Sequence, residues 1–128
     1  MKTMNNQKRA CFIDDDRDFL DVLQLRITHS RFQIQTVLAT NGYQIIDQLM
    51  KEQPDVLFID FNMPRAHGGQ VISVLQSANV LCSTPVYFMT SHGIEKVGSL
   101  LKNIEYDGIL EKGDTFSQEV GHILDRIK

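Results

Sequence analysis

The chain alternates short, dense apolar runs with longer segments whose apolar residues recur three or four positions apart. The short runs are Ala10–Ile13, Ile34–Ala39, Val56–Ile59, Val86–Met89 and Ile109–Leu110. Runs this short and this apolar predict strands, and the longer segments predict helices. Phe19, Leu23 and Ile27 mark the first helix, with Asp16 as its N-cap. Tyr43, Ile46, Leu49 and Met50 mark the second, entered through Asn41-Gly42. Val71, Val74, Leu75 and Ala78 mark the third. Phe116, Val120, Ile123, Leu124 and Ile127 mark the fifth, with Asp114 as its cap. The fourth, between Ile94 and Leu101, is the weakest, because Gly93 and Gly98 each disfavour helix by about 1 kcal/mol relative to Ala. A short or mobile helix is expected there.

Five short strands alternating with five helices predict a doubly wound α/β fold, a parallel sheet with helices on both faces. Val56-Leu57-Phe58-Ile59 and Val86-Tyr87-Phe88-Met89 are apolar at consecutive positions, as central strands covered on both faces require. The prolines fall at element edges: Pro54 before the third strand, Pro64 after it, and Pro85 at the start of the fourth. There is no internal repeat, low-complexity segment or linker. One domain over residues 8–128 is expected, behind a flexible tail over residues 1–7.

Composition narrows the setting. A length of 128 residues suits one domain with a sizeable core. The 13 Lys and Arg against 16 Asp and Glu give a net charge of −3, which offers no general attraction to nucleic acid or to an anionic bilayer. No apolar run approaches the roughly 20 residues that span a bilayer, and the polar start at Met1 to Gln7 is no signal peptide. Cys11 and Cys82 are too few for a disulfide scaffold and lack metal-site spacing, and Cys11 reads as a buried free thiol. A cytoplasmic location is expected.

In an open parallel sheet, ligands bind outside the carboxyl ends of the strands, so the residues that follow each apolar run are the informative ones. Asp14, Asp15 and Asp16 follow the first run, and Asp60, in Asp60-Phe61-Asn62-Met63-Pro64, follows the third. Thr90 and Ser91 follow the fourth, and Glu111 and Lys112 the fifth. The second run ends in Ala39-Thr40-Asn41, less distinctive and expected at one edge. An Asp run before a helix also serves as a cap, and a lone Thr or Lys after a strand also serves as a solvated loop residue. Carboxylates, a hydroxyl and an ammonium converging from four strand ends point further. Like charges this close resist simultaneous ionisation, and a hard divalent cation such as Mg²⁺ resolves the conflict. Lys and Thr supply donors to phosphoryl oxygens, and one carboxylate can act as a nucleophile that forms an acyl phosphate.

From the acidic pair Asp14-Asp15 through Asp60, with Gly68 beyond it, to Thr90-Ser91 and Lys112, the chain resembles the receiver domain of two-component response regulators. The resemblance runs from about Lys8 to Lys128 and implies a flavodoxin-like sheet of strand order 2-1-3-4-5. It implies that Asp60 accepts a phosphoryl group from a phosphohistidine on a sensor histidine kinase or phosphotransfer protein. It implies Mg²⁺, or Mn²⁺, held by Asp15, Asp60 and the backbone carbonyl of Asn62, with Asp14 acting through a water. Thr90 and Lys112 would contact the phosphoryl oxygens, and the small Ser91 would leave room for them to enter. Such domains catalyse their own phosphorylation and its hydrolysis. They signal by docking a downstream protein target or through a C-terminal output domain, which this length does not accommodate. No direct contact with nucleic acid or membrane is expected.

Two departures stand out. The family usually has an aromatic residue three positions before the Lys, where this chain has Ile109, and Pro directly after it, where this chain has Gly113. They leave open a degenerate receiver that binds partners without phosphorylation. An aspartyl phosphohydrolase is a third reading, but its second acid would fall at position 62, which is Asn. His67 and His92 flank the site and are either modulators of its chemistry or solvated loop residues.

Overall fold

The apolar runs do become strands, and the helical segments lie between them. The computed structural model describes residues 7–63 and 67–128. Pro64 and nearly all of the expected tail therefore lie outside the described residues. The chain runs β1 (Lys8–Asp14), α1 (Arg17–Arg26), β2 (Phe32–Leu38), α2 (Gly42–Lys51), β3 (Val56–Asp60), α3 (Gly68–Ser77), β4 (Val86–Thr90), α4 (Ile94–Leu100), β5 (Gly108–Glu111) and α5 (Phe116–Arg126). All neighbouring strands pair in parallel, in the flavodoxin-like order β2-β1-β3-β4-β5.

Strand residues alternate between two cores, because successive side chains leave a strand on opposite faces. Cys11, Ile13, Leu57, Ile59, Val86 and Phe88 pack against Ile45 and Leu49 of α2, Ile72 and Leu75 of α3, and Val97 of α4. Ala10, Phe12, Val56, Phe58 and Met89 pack on the other face against Leu20 and Leu23 of α1 and against Phe116, Val120 and Leu124 of α5. Phe12, Phe58 and Tyr87 form a stacked row across three strands on that second face. Cys11 is a buried free thiol, and burial pushes it up to about 12, so it is held protonated.

Specific hydrogen bonds set several helix ends. Asp16 caps α1 by accepting from the Phe19 N–H at 3.1 Å, and Asn41 caps α2 by accepting from the Gln44 N–H at 3.0 Å. α3 ends with Asn79 at φ 60°, and the N–H groups of Asn79 and Val80 bond back to Gln76 and Leu75 at 3.0 and 2.8 Å. That is a Schellman closure, with Asn taking the place usually held by Gly. α5 is held at its far end by Arg31, whose guanidinium donates to the carbonyls of Leu124 and Ile127 at 2.8 and 2.9 Å.

Three expectations are corrected. In α2 the buried residues are Ile45 and Leu49, while Tyr43 and Met50 are exposed. Apolar pairs at 45–46 and 49–50 create two adjacent seams, and docking on the sheet selects the first. In α3, Ile72 joins Val71 and Leu75 in the core, while Val74 and Ala78 face outward. At α5 the N-cap is Thr115 rather than Asp114, and its hydroxyl donates to Glu119 Oε1 at 2.9 Å instead of capping a backbone N–H. The weak fourth helix is short, at 7 residues.

One close approach ties the fold to the end of β3. A Cβ on Gly68, the first residue of α3, would stand 2.4 Å from the backbone carbonyl oxygen of Asp60. A rigid backbone atom cannot give way, so only Gly lets α3 begin there. Gly121, inside α5, has nothing within 4 Å of its would-be Cβ. Gly68→Ala is therefore expected to destabilise the fold by about 1–3 kcal/mol, and Gly121→Ala to stabilise it by about 0.5–1 kcal/mol. Urea denaturation midpoints of the two variants check both signs.

Candidate functional site

Asp14 ends β1, Asp60 ends β3, Thr90 ends β4, and Lys112 directly follows β5. Alternation decides which way each points. Asp14 and Asp60 continue the face of Phe12 and Phe58, so their carboxylates emerge on the side covered by α1 and α5. Lys112, two positions beyond Leu110, shares that side. Its backbone N–H donates to the Thr90 carbonyl at 2.8 Å, which continues the β4–β5 ladder past the last strand residue.

The result is a buried triad of charges. The ammonium of Lys112 lies 2.6 Å from Asp14 Oδ2 and 3.1 Å from Asp60 Oδ1. Asp14 is fully buried; its Oδ1 accepts from the Asp16 N–H at 3.0 Å, while Oδ2 has the ammonium and no hydrogen bond of regular geometry. Asp60 is 3% exposed. Asp15 stands exposed at the rim, and carboxylate oxygens of Asp14, Asp15 and Asp60 lie within 4.8 Å of one another.

One ammonium does not neutralise this cluster. Burial, then the neighbouring charge of Asp14, pushes Asp60 from the ordinary 3.8 up to about 6, although Lys112 pulls it down. Burial likewise raises Asp14 against the opposing pull of Lys112 and of the Asp16 N–H. Burial pulls the Lys112 ammonium down, but the two carboxylates outweigh it and hold it above the usual lysine range. Clustered carboxylates, two of them buried, with excess negative charge fit a hard divalent cation, which binds oxygen ligands. The residues fit such an ion.

The remaining expected residues take varied places. Thr90 is fully buried, and its Oγ1 accepts from the His92 N–H at 2.9 Å, leaving the hydroxyl hydrogen for a second partner. Ser91 and His92 are exposed beside it. Asn62 and His67 are exposed, and they line a cavity of about 580 Å³ with Phe61, Gln70 and Lys102. Neither histidine joins the acidic cluster among the described residues.

Two features were not legible as part of the site. Phe19 reads in sequence only as a core residue of α1, yet its ring centroid lies 4.4 Å from the Lys112 ammonium. Its one signal is position: the first turn of the helix that leaves the acidic run. The second feature concerns the missing aromatic on β5. Ile109 pairs in register with Phe88 and is half-buried. Tyr106, from the segment before β5, instead sets its ring edge-on to Phe88 at 5.8 Å, and Phe88 meets Phe61 edge-on at 6.2 Å. An aromatic chain thus runs from the neighbour of Asp60 to the α4–β5 side.

The raised Asp60 has a stability consequence. Between pH 4 and 6 the folded state holds a proton that the unfolded state releases, so stability falls as pH rises through this window. In metal-free protein, Asp60→Asn should be the more stable by about 1–3 kcal/mol above pH 6, with the gap closing below pH 4. Denaturation at pH 7.5 and pH 4 measures it.

Solved structures of similar shape include receiver domains. The fold superposes on a CheY-like receiver domain from Methylobacillus flagellatus with a TM-score of 0.77 at 18% identity, covering 95% of this chain and 99% of that one. It superposes on the receiver domain of the response regulator NarL from Mycobacterium tuberculosis with a TM-score of 0.74 at 21% identity, covering 94% and 95%. Among curated proteins, a protein-glutamate methylesterase/protein-glutamine glutaminase from Oceanobacillus iheyensis is 23% identical over 123 residues, 95% of this chain but 35% of that enzyme. The chain spans about a third of that relative's length. The sequence model of the response regulator receiver domain matches residues 10–121, nearly the whole sheet with its helices, and the chain belongs to that family.

Proposed function

We propose that this domain, over residues 8–128, is a phosphoacceptor switch that takes a phosphoryl group on Asp60 from a phosphohistidine of a sensor kinase or phosphotransfer protein. The observation that carries the reading is the buried Asp60 carboxylate, sharing one ammonium with Asp14 at the end of a central strand. An Asp60 oxygen attacks phosphorus, the P–N bond to the partner's imidazole breaks, and its electron pair returns to the ring. Lys112 turns from the carboxylates to the phosphoryl oxygens, and the Thr90 hydroxyl donates a second hydrogen bond. Ser91 and the exposed rim leave the entry open.

Asp15, Asp60 and the Asn62 backbone carbonyl are the proposed holders of Mg²⁺ or Mn²⁺, with Asp14 acting through a water. When bound, the ion supplies positive charge against the carboxylates and the transferring group. Three carboxylates and one ammonium leave two uncompensated negative charges, which a divalent cation cancels. Hydrolysis of the acyl phosphate resets the domain, with the exposed His67 and His92 as candidate modulators of it. The signal leaves through α4, β5 and α5. The short α4 and the Phe61–Phe88–Tyr106 contacts support that route in a chain with Ile109 on β5.

Incubation with acetyl phosphate and Mg²⁺, read by intact mass, tests the proposal. A single added phosphoryl group is expected on the native chain and none on Asp60→Asn. Lys112→Ala should label roughly 100-fold more slowly. No labelling under conditions that label a control receiver would favour a binding module that works without phosphorylation. Labelling that survives Asp60→Asn would move the acceptor elsewhere.

A further inference from the structure

We propose that Phe19 is a positioning residue for Lys112, its ring face holding the ammonium over the phosphoacceptor. This rests on the phosphoacceptor reading of Asp60 and deepens it by adding a residue outside the polar set.

The ring is held in place from both sides. The Phe19 N–H is fixed by the Asp16 cap at 3.1 Å, and the ring meets Phe116, the first residue of α5, edge-on at 5.5 Å and 66°. Against its face, at 4.4 Å from the centroid, sits the Lys112 ammonium. The ammonium thus meets Asp14, Asp60 and an aromatic face. A Lys stem is flexible and its ammonium strongly hydrated, so two carboxylates alone do not fix its direction once they find another cation. The aromatic face attracts the ammonium through its quadrupole but carries no net charge. It neither competes for a divalent cation nor repels an incoming phosphoryl group. It also covers the ammonium, whose side chain is 14% exposed.

The Asp run is joined to this device. Asp16 donates its N–H to Asp14 Oδ1 at 3.0 Å and caps the turn that carries Phe19. One short segment thus presents the carboxylate and the ring to the same ammonium. In the transfer itself, an Asp60 oxygen bonds to phosphorus as the donor's bridging bond breaks and the leaving group keeps the electron pair. Phe19 takes no part in bond making; it keeps the ammonium aimed at the oxygens where charge develops.

Phe19→Tyr, which keeps the ring, and Phe19→Leu, which keeps an apolar cover without it, separate positioning from packing. In metal-free protein the Lys112 ε-methylene protons should resonate upfield from ring current in the native chain and in Phe19→Tyr, and lose that shift in Phe19→Leu. At saturating Mg²⁺, acyl phosphate formation from acetyl phosphate should fall roughly 3- to 30-fold in Phe19→Leu and be largely restored in Phe19→Tyr. Thermal unfolding and amide spectra of both variants confirm that they are folded. An unshifted Lys112 in the native chain, or equal rates in Phe19→Leu and the native chain, overturns the proposal. A native chain that takes no phosphoryl group overturns the phosphoacceptor reading, while the Lys112 shift still decides whether Phe19 holds the ammonium.

Discussion

The structure is organised around an imbalance: the carboxylates of Asp14 and Asp60 are both buried, and the single ammonium of Lys112 reaches both. Taking charges out of water is costly unless each is paired and hydrogen-bonded. Here the pairing is incomplete, since one ammonium serves two carboxylates and Asp60 is raised to about 6. A purely structural ion pair would gain stability from one carboxylate fewer. The fold keeps the extra acid because β1 and β3 end side by side and the sheet's backbone ladders hold these strand ends in place. The Ala39 N–H on the Asp14 carbonyl at 2.8 Å and the Phe61 N–H on the Met89 carbonyl at 2.9 Å belong to those ladders. Strain in the charge balance is thus borne by sheet pairing, and a site poised for positive charge results.

The same sheet explains what was legible in the sequence. The end of each central strand follows from runs that are apolar on consecutive positions, because those strands are covered on both faces, whereas the strand order came from the family resemblance. The residues at or just past the ends of such runs, Asp14, Asp60, Thr90 and Lys112, then had to gather at the carboxyl end of the sheet. What did not show was the rotation of helices about their own axes. In α2, Tyr43 and Met50 formed as regular a stripe as Ile45 and Leu49, and only the sheet surface distinguishes them. The Asp114 cap failed for a related reason: the turn after β5 closes through the Phe116 N–H on the Gly113 carbonyl at 3.1 Å, which makes Thr115 the last residue before the helix.

Phe19 and Tyr106 were illegible in another way. Their roles come from contacts across 93 positions in one case (Phe19 to Lys112) and from a segment of no regular structure in the other. No spacing rule reaches either. Tyr106 stands edge-on to Phe88, while the β5 position opposite Phe88 holds Ile109. An aromatic ring thus meets Phe88 from the segment before β5 rather than from β5 itself. That keeps a bulky, partly exposed group on the α4–β5 side, where Gly98 leaves room for both Ile109 and Tyr106.

The central claim is that two buried carboxylates and one ammonium form a site completed by a divalent cation and a phosphoryl-like group on Asp60. Fluorine NMR of the protein with beryllofluoride tests it most directly. Bound fluoride resonances should appear only when Mg²⁺ is present, and should vanish in Asp60→Asn. Free beryllofluoride alone in the native protein with Mg²⁺, or bound resonances that persist without Asp60, would contradict it.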